Sequence, residues 1–267
     1  MEIKGTGAIK SPFDLRNYKL SKKVCSNIQL PENFELEHSH IKDQGIVNSC
    51  VAHSLSEILE SRDNNNYSTD WIYGYRPLSY YQGKGMYLSE ALKTLRKVGY
   101  LENDELSSNT EMDEVKNLIS NNLNKYKEKA NSHKIAAYAY LKNINQIKQA
   151  LYINKTPIVL SIEIGANGIK LDENYIAYIP NEDEEHGCHA VVCYGWNEIG
   201  LLIQNSWGEN WGNKGTFILP YEYPIEEAWM LQFDKNNNLE LTQKPMAYAI
   251  RDFIMSIINF IGNLFSK

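Results

Sequence analysis

Cys50 stands in the stretch where reactive residue types are most concentrated, Asp43-Gln44-Gly45-Ile46-Val47-Asn48-Ser49-Cys50-Val51-Ala52-His53-Ser54. Beyond it, apolar residues fall at Val51, Ala52, Leu55, Ile58 and Leu59, the spacing of a helix with a buried stripe. Asn48 and Ser49 are helix-capping types and Gln44-Gly45 reads as a turn, which places Cys50 in the first helical turn. Unpaired N–H groups and the helix dipole at that position favour thiolate over thiol, so Cys50 is a candidate nucleophile. Gln44, six residues upstream, could present its side-chain amide to a developing oxyanion. The competing reading is structural, because a free cysteine is most often a small buried apolar side chain.

A thiol nucleophile needs a base, and the base needs a group to orient it. One later stretch offers both. Gly187-Cys188-His189-Ala190-Val191-Val192-Cys193-Tyr194-Gly195-Trp196 is followed by the turn Asn197-Glu198-Ile199-Gly200 and by Leu201-Leu202-Ile203-Gln204-Asn205-Ser206-Trp207-Gly208. Two apolar runs joined by a polar, glycine-containing turn predict a β-hairpin that brings His189 and Asn205 to the same end. A rival reading makes His186, Cys188, His189 and Cys193 zinc ligands. Strand alternation sets Cys188 and His189 on opposite faces, and Cys193 lies four strand residues from His189, about 13 Å at ~3.3 Å each. No metal site is expected there, nor at His38 and His40, whose H-x-H pair has no further ligand close by.

Positioning these residues takes a sequence of supporting elements. After Pro31, a weakly alternating run over 34–41 predicts a short strand. The Cys50 helix ends in the turn Asp63-Asn64-Asn65-Asn66, and 67–82 is strongly aromatic. In Gln82-Gly83-Lys84-Gly85-Met86 the glycines let a ligand approach the backbone. Leu88, Ala91, Leu92, Leu95 and Val98 predict an amphipathic helix ended by Gly99. A charged helix with a thin apolar stripe is expected over 111–130. From Ala136 the pattern turns to strands: 136–141, a short helix at 144–151, then a buried strand at 157–164.

With 267 residues, 43% hydrophobic and 22% charged, the chain has the composition of a soluble globular protein large enough for a substantial core. A net charge of −6 argues against nucleic acid as the main partner. Cysteines at 25, 50, 188 and 193 lack the spacing of a disulfide framework. The start Met1-Glu2-Ile3-Lys4-Gly5 leads into no apolar segment of the secretory type, so a cytoplasmic location is the default expectation; release by lysis remains open to it.

Gln44, Cys50, His189 and Asn205 together resemble the papain family of cysteine peptidases, bacterial members above all. In that family His and Asn follow the nucleophile by about 130–150 residues; here they follow by 139 and 155. The matching motifs are Gln44-Gly45 with Ser49-Cys50, His189-Ala190-Val191, and Asn205-Ser206-Trp207-Gly208 with Trp211-Gly212 and Gly215. Ala91-Leu92-Lys93 with Gly99, and Pro220-Tyr221-Glu222-Tyr223, support them. Val51 replaces the aromatic that usually follows the nucleophile, and Val47 replaces a disulfide cysteine. The resemblance implies an α+β fold of two lobes, one helical and one built on an antiparallel barrel-like sheet, with the active-site cleft between them. It implies an endopeptidase acting on protein or peptide substrates, with Cys50, His189, Asn205 and Gln44 catalytic. Ser49, Gly85, Met86 and Trp207 resemble positions that line the cleft or shield the catalytic pair. No cofactor and no metal are implied. A same-fold amidase or transpeptidase, or a silent binding protein, would carry the same motifs.

The resemblance covers residues 30–234 and leaves both ends over. Residues 1–29 carry Lys4, Lys10, Arg16, Lys19, Lys22 and Lys23 against Glu2 and Asp14, a local charge of +4. They are expected to be extended or irregular, a cleft lid or short pro-segment, drawn to the acidic run Glu182-Asp183-Glu184-Glu185. After a linker at 235–249, apolar residues at Ile250, Phe253, Ile254, Ile257, Ile258, Ile261, Leu264 and Phe265 predict an amphipathic helix over 250–267. It is too often interrupted by polar residues to span a bilayer and is expected to pack on this chain, a second copy or another protein in preference to a membrane surface.

Overall fold

The computed structural model describes residues 6–12, 14, 17, 19–20, 28–76, 85–107, 118–181, 186–233 and 241–242. The expected helix at 250–267 and the acidic run 182–185 lie outside the described residues. Among the described residues, no helix is long and apolar enough to cross a membrane.

The centre of the fold is helix α1, Cys50–Glu60, in which every residue is buried. A helix covered on all sides needs packing partners all round. On one side lie α2 (Thr69–Gly74) and α3 (Leu88–Lys97), whose Trp71, Ile72, Leu88, Ala91, Leu92 and Leu95 share one core with Val51, Leu55, Ile58 and Leu59. The expected helix at 111–130 is broken in its described part: 118–121 is helical, Asn122 is a turn, and α4 runs Leu123–Ala130. Only Tyr126 and Ala130 of α4 are buried, in keeping with its thin apolar stripe.

On the other side of α1 lies the sheet. Strand β6 (Ile158–Gly165) pairs antiparallel with β7 (His186–Trp196), from Ile158↔Cys193 to Gly165↔His186. Outside β6 come β10 (Ile225–Gln232) and β5 (Ala137–Tyr140), with helix α5 (Ile144–Asn154) between β5 and β6 in sequence. Outside β7 come β8 (Gly200–Gln204) and β9 (Thr216–Pro220), all antiparallel. A second core fills the far side of this sheet, with Leu160, Ile162, Val191, Ile203, Phe217 and Leu219. Val159, Ala190 and Val192, on the near side, belong to the α1 core. Strand alternation thus lets one sheet serve two cores. The result is the expected α+β fold of a helical lobe against a curled sheet lobe.

One expectation needs correcting and another filling in. The strand at 34–41 shrinks to β3, Phe34–Glu35, because it has only the Trp196–Gly195 end of β7 to pair with. The N-terminal segment, expected to be extended or irregular, holds two short strands whose places its sequence did not mark. It contributes β1 (Ala8–Ile9), which pairs parallel with β4 (Met86–Tyr87) and antiparallel with Cys188 of β7. It also contributes β2 (Lys19–Leu20), set between β5 and β11 (Leu241–Thr242). No local periodicity signals two-residue strands, since their partners are remote in sequence.

Gly99 stops α3 as its type predicts, with φ +110°. A Cβ there would lie 1.8 Å from the Ala130 carbonyl oxygen, so the α3–α4 joint requires glycine. Gly99→Ala is expected to cost about 2–5 kcal/mol from left-handed backbone and overpacking together. A thermal melt checks this, and an unchanged midpoint would show that the joint tolerates a side chain.

Candidate active site

The structure brings the four predicted catalytic residues to the junction of the two lobes. Cys50 opens α1, and the Ala190 N–H of β7 donates to its Sγ at 3.4 Å. Ser49 occupies the N-cap position but makes no side-chain cap bond. Its Oγ meets His53 Nδ1 at 3.1 Å instead, leaving the first helical N–H groups available to the cysteine. Backbone N–H groups of Ala190, Ala8, Val51 and Cys50 all favour the thiolate.

That stabilisation is outweighed. Cys50 has no exposed surface, and burial pushes its thiol up to about 12. Burial thus opposes the thiolate that the helix terminus favours. Strand β1 is part of that cover: Ala8, paired with Met86 and with Cys188, presents its backbone N–H to Cys50.

His189 is held by the hairpin as expected. Its Nε2 lies 2.8 Å from Asn205 Oδ1, which also accepts the Ser206 N–H at 2.9 Å. An oxygen accepting two donors fixes the amide's orientation, so Nε2 carries the hydrogen and Nδ1 keeps its lone pair. Nδ1 has no hydrogen-bond partner among the described residues. Trp207 stacks on the imidazole at 4.6 Å between ring centres, covering the His–Asn pair. Burial, assisted by nearby His53, pushes His189 down to about 4 despite the Asn205 bond.

Gln44 is tied to the same hairpin. Its backbone N–H donates to the Ser206 carbonyl at 2.9 Å, and its Oε1 accepts from Ser206 Oγ at 2.6 Å. Nε2 donates to the Val47 carbonyl at 2.8 Å, which directs the amide nitrogen toward the loop leading to Cys50. Of the expected cleft residues, Gly85 and Met86 flank β1, where the Met86 N–H donates to the Gly7 carbonyl at 2.9 Å. Ser49 backs the nucleophile through His53.

Sequence spacing missed a buried polar set beneath the nucleophile. Glu57, one heptad below Cys50 on α1, is buried with neither carboxyl oxygen in hydrogen-bond geometry. Burial pushes it up to about 8, against the opposing pull of Lys42. Lys42 Nζ pairs with Glu60 Oε1 at 2.7 Å. Burial pushes His53 down to about 4. A helical sequence that carried His53, Glu57 and Glu60 on an otherwise apolar face was the available signal. Ser206 was visible inside the Asn205-Ser206-Trp207 motif, though not its bond to Gln44.

Residues 30–227 match the family described as papain family cysteine protease. An uncharacterized peptidase C1-like protein, L477, of Acanthamoeba polyphaga mimivirus is 26% identical over 71% of this chain and 68% of its own length. Cathepsin K of Mus musculus is 25% identical over 67% of this chain, which spans 55% of that protein. Among solved structures, xylellain, a cysteine protease from Xylella fastidiosa, superposes with a TM-score of 0.71 at 21% identity, covering 88% of this chain and 98% of that one. ProCathepsin B S9 from Trypanosoma congolense superposes at 0.63, with 14% identity and 87% of each chain covered.

The buried titratable groups predict how stability depends on pH. His53 and His189 sit at about 4 against an ordinary 6.5, so between these values the unfolded chain binds protons that the folded chain refuses. Stability therefore rises with pH across that window. Glu57 acts oppositely: at about 8 against 4.5, it keeps a proton the unfolded chain has lost, and stability falls as pH climbs between them. Two groups outweigh one below pH 6.5, and Glu57 acts alone above it. The melting temperature should peak near pH 6.5, with each net proton worth about 1.4 kcal/mol per pH unit. Glu57→Gln should flatten the alkaline limb and steepen the acid limb, where both histidines then act unopposed; a flat wild-type profile from pH 4.5 to 8 would refute the assignment.

Proposed function

Since the chain belongs to the papain family of cysteine proteases and is a peptidase acting on protein or peptide substrates, we propose that it hydrolyses internal peptide bonds through Cys50, His189, Asn205 and Gln44 by way of an acyl-enzyme. The observation that carries this reading is the His189 Nε2–Asn205 Oδ1 bond, which leaves Nδ1 as the basic nitrogen beside the lobe junction where Cys50 Sγ sits. In the open site, Cys50 passes its proton to His189 and attacks the substrate carbonyl as thiolate. The Cys50 N–H and the Gln44 amide stabilise the oxyanion. As the C–N bond breaks, His189 gives its proton to the leaving amine, and Asn205 keeps the ring in line. Water then attacks the thioester, its proton returning to His189 while the C–S bond breaks. Trp207 keeps solvent from competing for the His–Asn bond.

The second part of the proposal concerns residues 6–12, which serve as a lid. With this segment in place, Cys50 and His189 are both wholly buried, and neither a substrate nor a charged pair fits. The segment offers Cys50 a backbone N–H from Ala8, a hydrogen-bond donor that is not an electrophile, so it blocks without being cut. Its expected partner at 182–185 lies outside the described residues, but Lys10 does pair with an acidic residue, Glu226, at 2.5 Å.

Two variants test these parts separately. Cys50→Ala should lose casein hydrolysis by at least ~10³-fold with its melting curve intact; retained activity would exclude Cys50 as nucleophile. Gly7 has φ +123°, and a Cβ on it would lie 2.3 Å from the Asn48 carbonyl oxygen. Gly7→Ala should therefore dislodge the lid and speed alkylation of Cys50 by iodoacetamide, read by mass spectrometry. Unchanged or slower labelling of a folded product would rule out the lid.

A further inference from the structure

A cavity of about 430 Å³ lies on the sheet lobe, at the end of β7 remote from His189. Tyr194 and Trp196 line it, five and seven residues beyond His189, or roughly 16–23 Å along a strand. It is too far away to touch the bond being cut. Its floor is buried and apolar, with Trp196 and Phe217, while Asn33, Glu35, Asn174 and Asn213 give it an exposed polar rim.

Two departures from regular backbone converge on this cavity. The β7–β8 register slips by one residue between Cys193 and Gly195, so Tyr194 has no residue opposite and bulges from the ladder. A bulge re-aims a side chain, and this one puts a tyrosine into the cavity lining. The second departure is Tyr175, with φ +59°. Of the four non-glycine residues with positive φ among those described, it alone is aromatic. The fold gains nothing from a bulky residue in left-handed backbone, where glycine or asparagine costs less. The turn nevertheless holds it there, since Asp172 Oδ1 accepts the Asn174 and Ile176 N–H groups at 2.9 and 2.8 Å. Tyr175 is 42% exposed, so part of its ring stays open to a ligand.

The lining decides between ligand classes. Among the described residues it holds one charged side chain, Glu35, and no cation, which disfavours phosphate, sulfate and carboxylate. A peptide strand finds the bordering backbone taken. The Ile218 N–H donates to the Tyr175 carbonyl, the Ile218 carbonyl accepts from Ala177, and the Tyr194 carbonyl accepts from Leu36, each at 2.9 Å. Recognition is left to side chains, and these are mostly amides. Asn197 Oδ1 accepts the Ile199 and Gly200 N–H groups at 2.9 and 3.0 Å, which leaves Nδ2 to donate. Asn33 turns its nitrogen to Glu198 Oε2 at 3.2 Å, which leaves Oδ1 to accept. With Glu35 as a further acceptor, the rim offers fixed donors and acceptors, the pairing that hydroxyl groups need. The exposed tyrosine face beside them suits the C–H face of a sugar ring.

We propose that this cavity binds a neutral saccharide of one or two sugar units, free or carried on a protein, with a ring stacked on Tyr175 and hydroxyls held by Asn33, Glu35 and Asn197. Its volume falls in the range of small-ligand sites. The site stands apart from the peptidase chemistry and does not depend on it.

The test is isothermal titration of the full-length protein with cellobiose, chitobiose, mannobiose and lactose, taken to millimolar concentration. At least one should bind. Tyr175→Phe should keep that affinity within about threefold, and Tyr175→Gly, which removes the ring, should weaken it at least ~tenfold. Glycine also relieves the left-handed strain, so the melting temperature of Tyr175→Gly should hold or rise while binding falls. Hydrolysis of a short unglycosylated peptide should match wild type in both variants. Given that binding, a glycoprotein and its enzymatically deglycosylated form separate the two sources. Faster cleavage of the glycosylated form, lost in Tyr175→Gly, assigns the site to glycans on substrates, and no such gain assigns it to free sugar. Failure of every disaccharide to bind, or binding unchanged in Tyr175→Gly, overturns the proposal.

Discussion

The hydrogen bond from the Ala190 N–H to Cys50 Sγ joins the two lobes at the point where their geometry matters most. A helix N-terminus and a strand have no intrinsic reason to meet there. They do so because α1 is buried on every side and β7 is paired along both edges, so neither can shift alone. Sliding β7 by one residue would exchange the near face for the far face and move His189 with it. The eight-residue register with β6 prevents that slip. The Gln44–Ser206 pair ties the loop before α1 to the same hairpin, so Cys50, His189 and the Gln44 amide are fixed by a few linked contacts.

The same junction explains why the groups are perturbed. Burial raises Cys50 and Glu57 and lowers His53 and His189, which in each case favours the uncharged form. Burial opposes charge at Cys50 and His189 alike, so the thiolate–imidazolium pair of the proposed mechanism calls for a site that water and substrate can enter.

Much of this was legible in the sequence, for reasons particular residues make plain. The Cys50 helix announced itself because its apolar stripe is local, and the His189–Asn205 hairpin because two apolar runs flank a turn. Those signals depend on neighbours within a dozen residues. What stayed illegible depends on remote partners. Ala8–Ile9 carries no strand pattern and becomes one only between Met86 and Cys188. Glu226 and Glu227 look like ordinary surface acids until Lys10 and Ser11 arrive from the far end of the chain. The broken helix at Asn122 and the shortened strand at Phe34 have the same origin, a tertiary context that periodicity does not encode. The burial that opposes the Cys50 thiolate was illegible for the same reason, since the Ala8 segment beside it lies more than 40 residues away.

The contacts holding the lid indicate what kind of device it is. Its backbone bonds join Thr6 to Asn48 and Met86 to Gly7, and Ser11 to Glu227 and Ser89. Each contributes on the order of 1 kcal/mol net. The Lys10–Glu226 pair, with Lys10 largely exposed, adds less, as exposed ion pairs do. Apolar contact adds to them, since Ala8 is buried and Ile9 is partly buried against the α1 core. Under the proposed lid role, such contacts open and reclose without breaking a core, which makes the segment an equilibrium competitor whose occupancy salt or pH can shift.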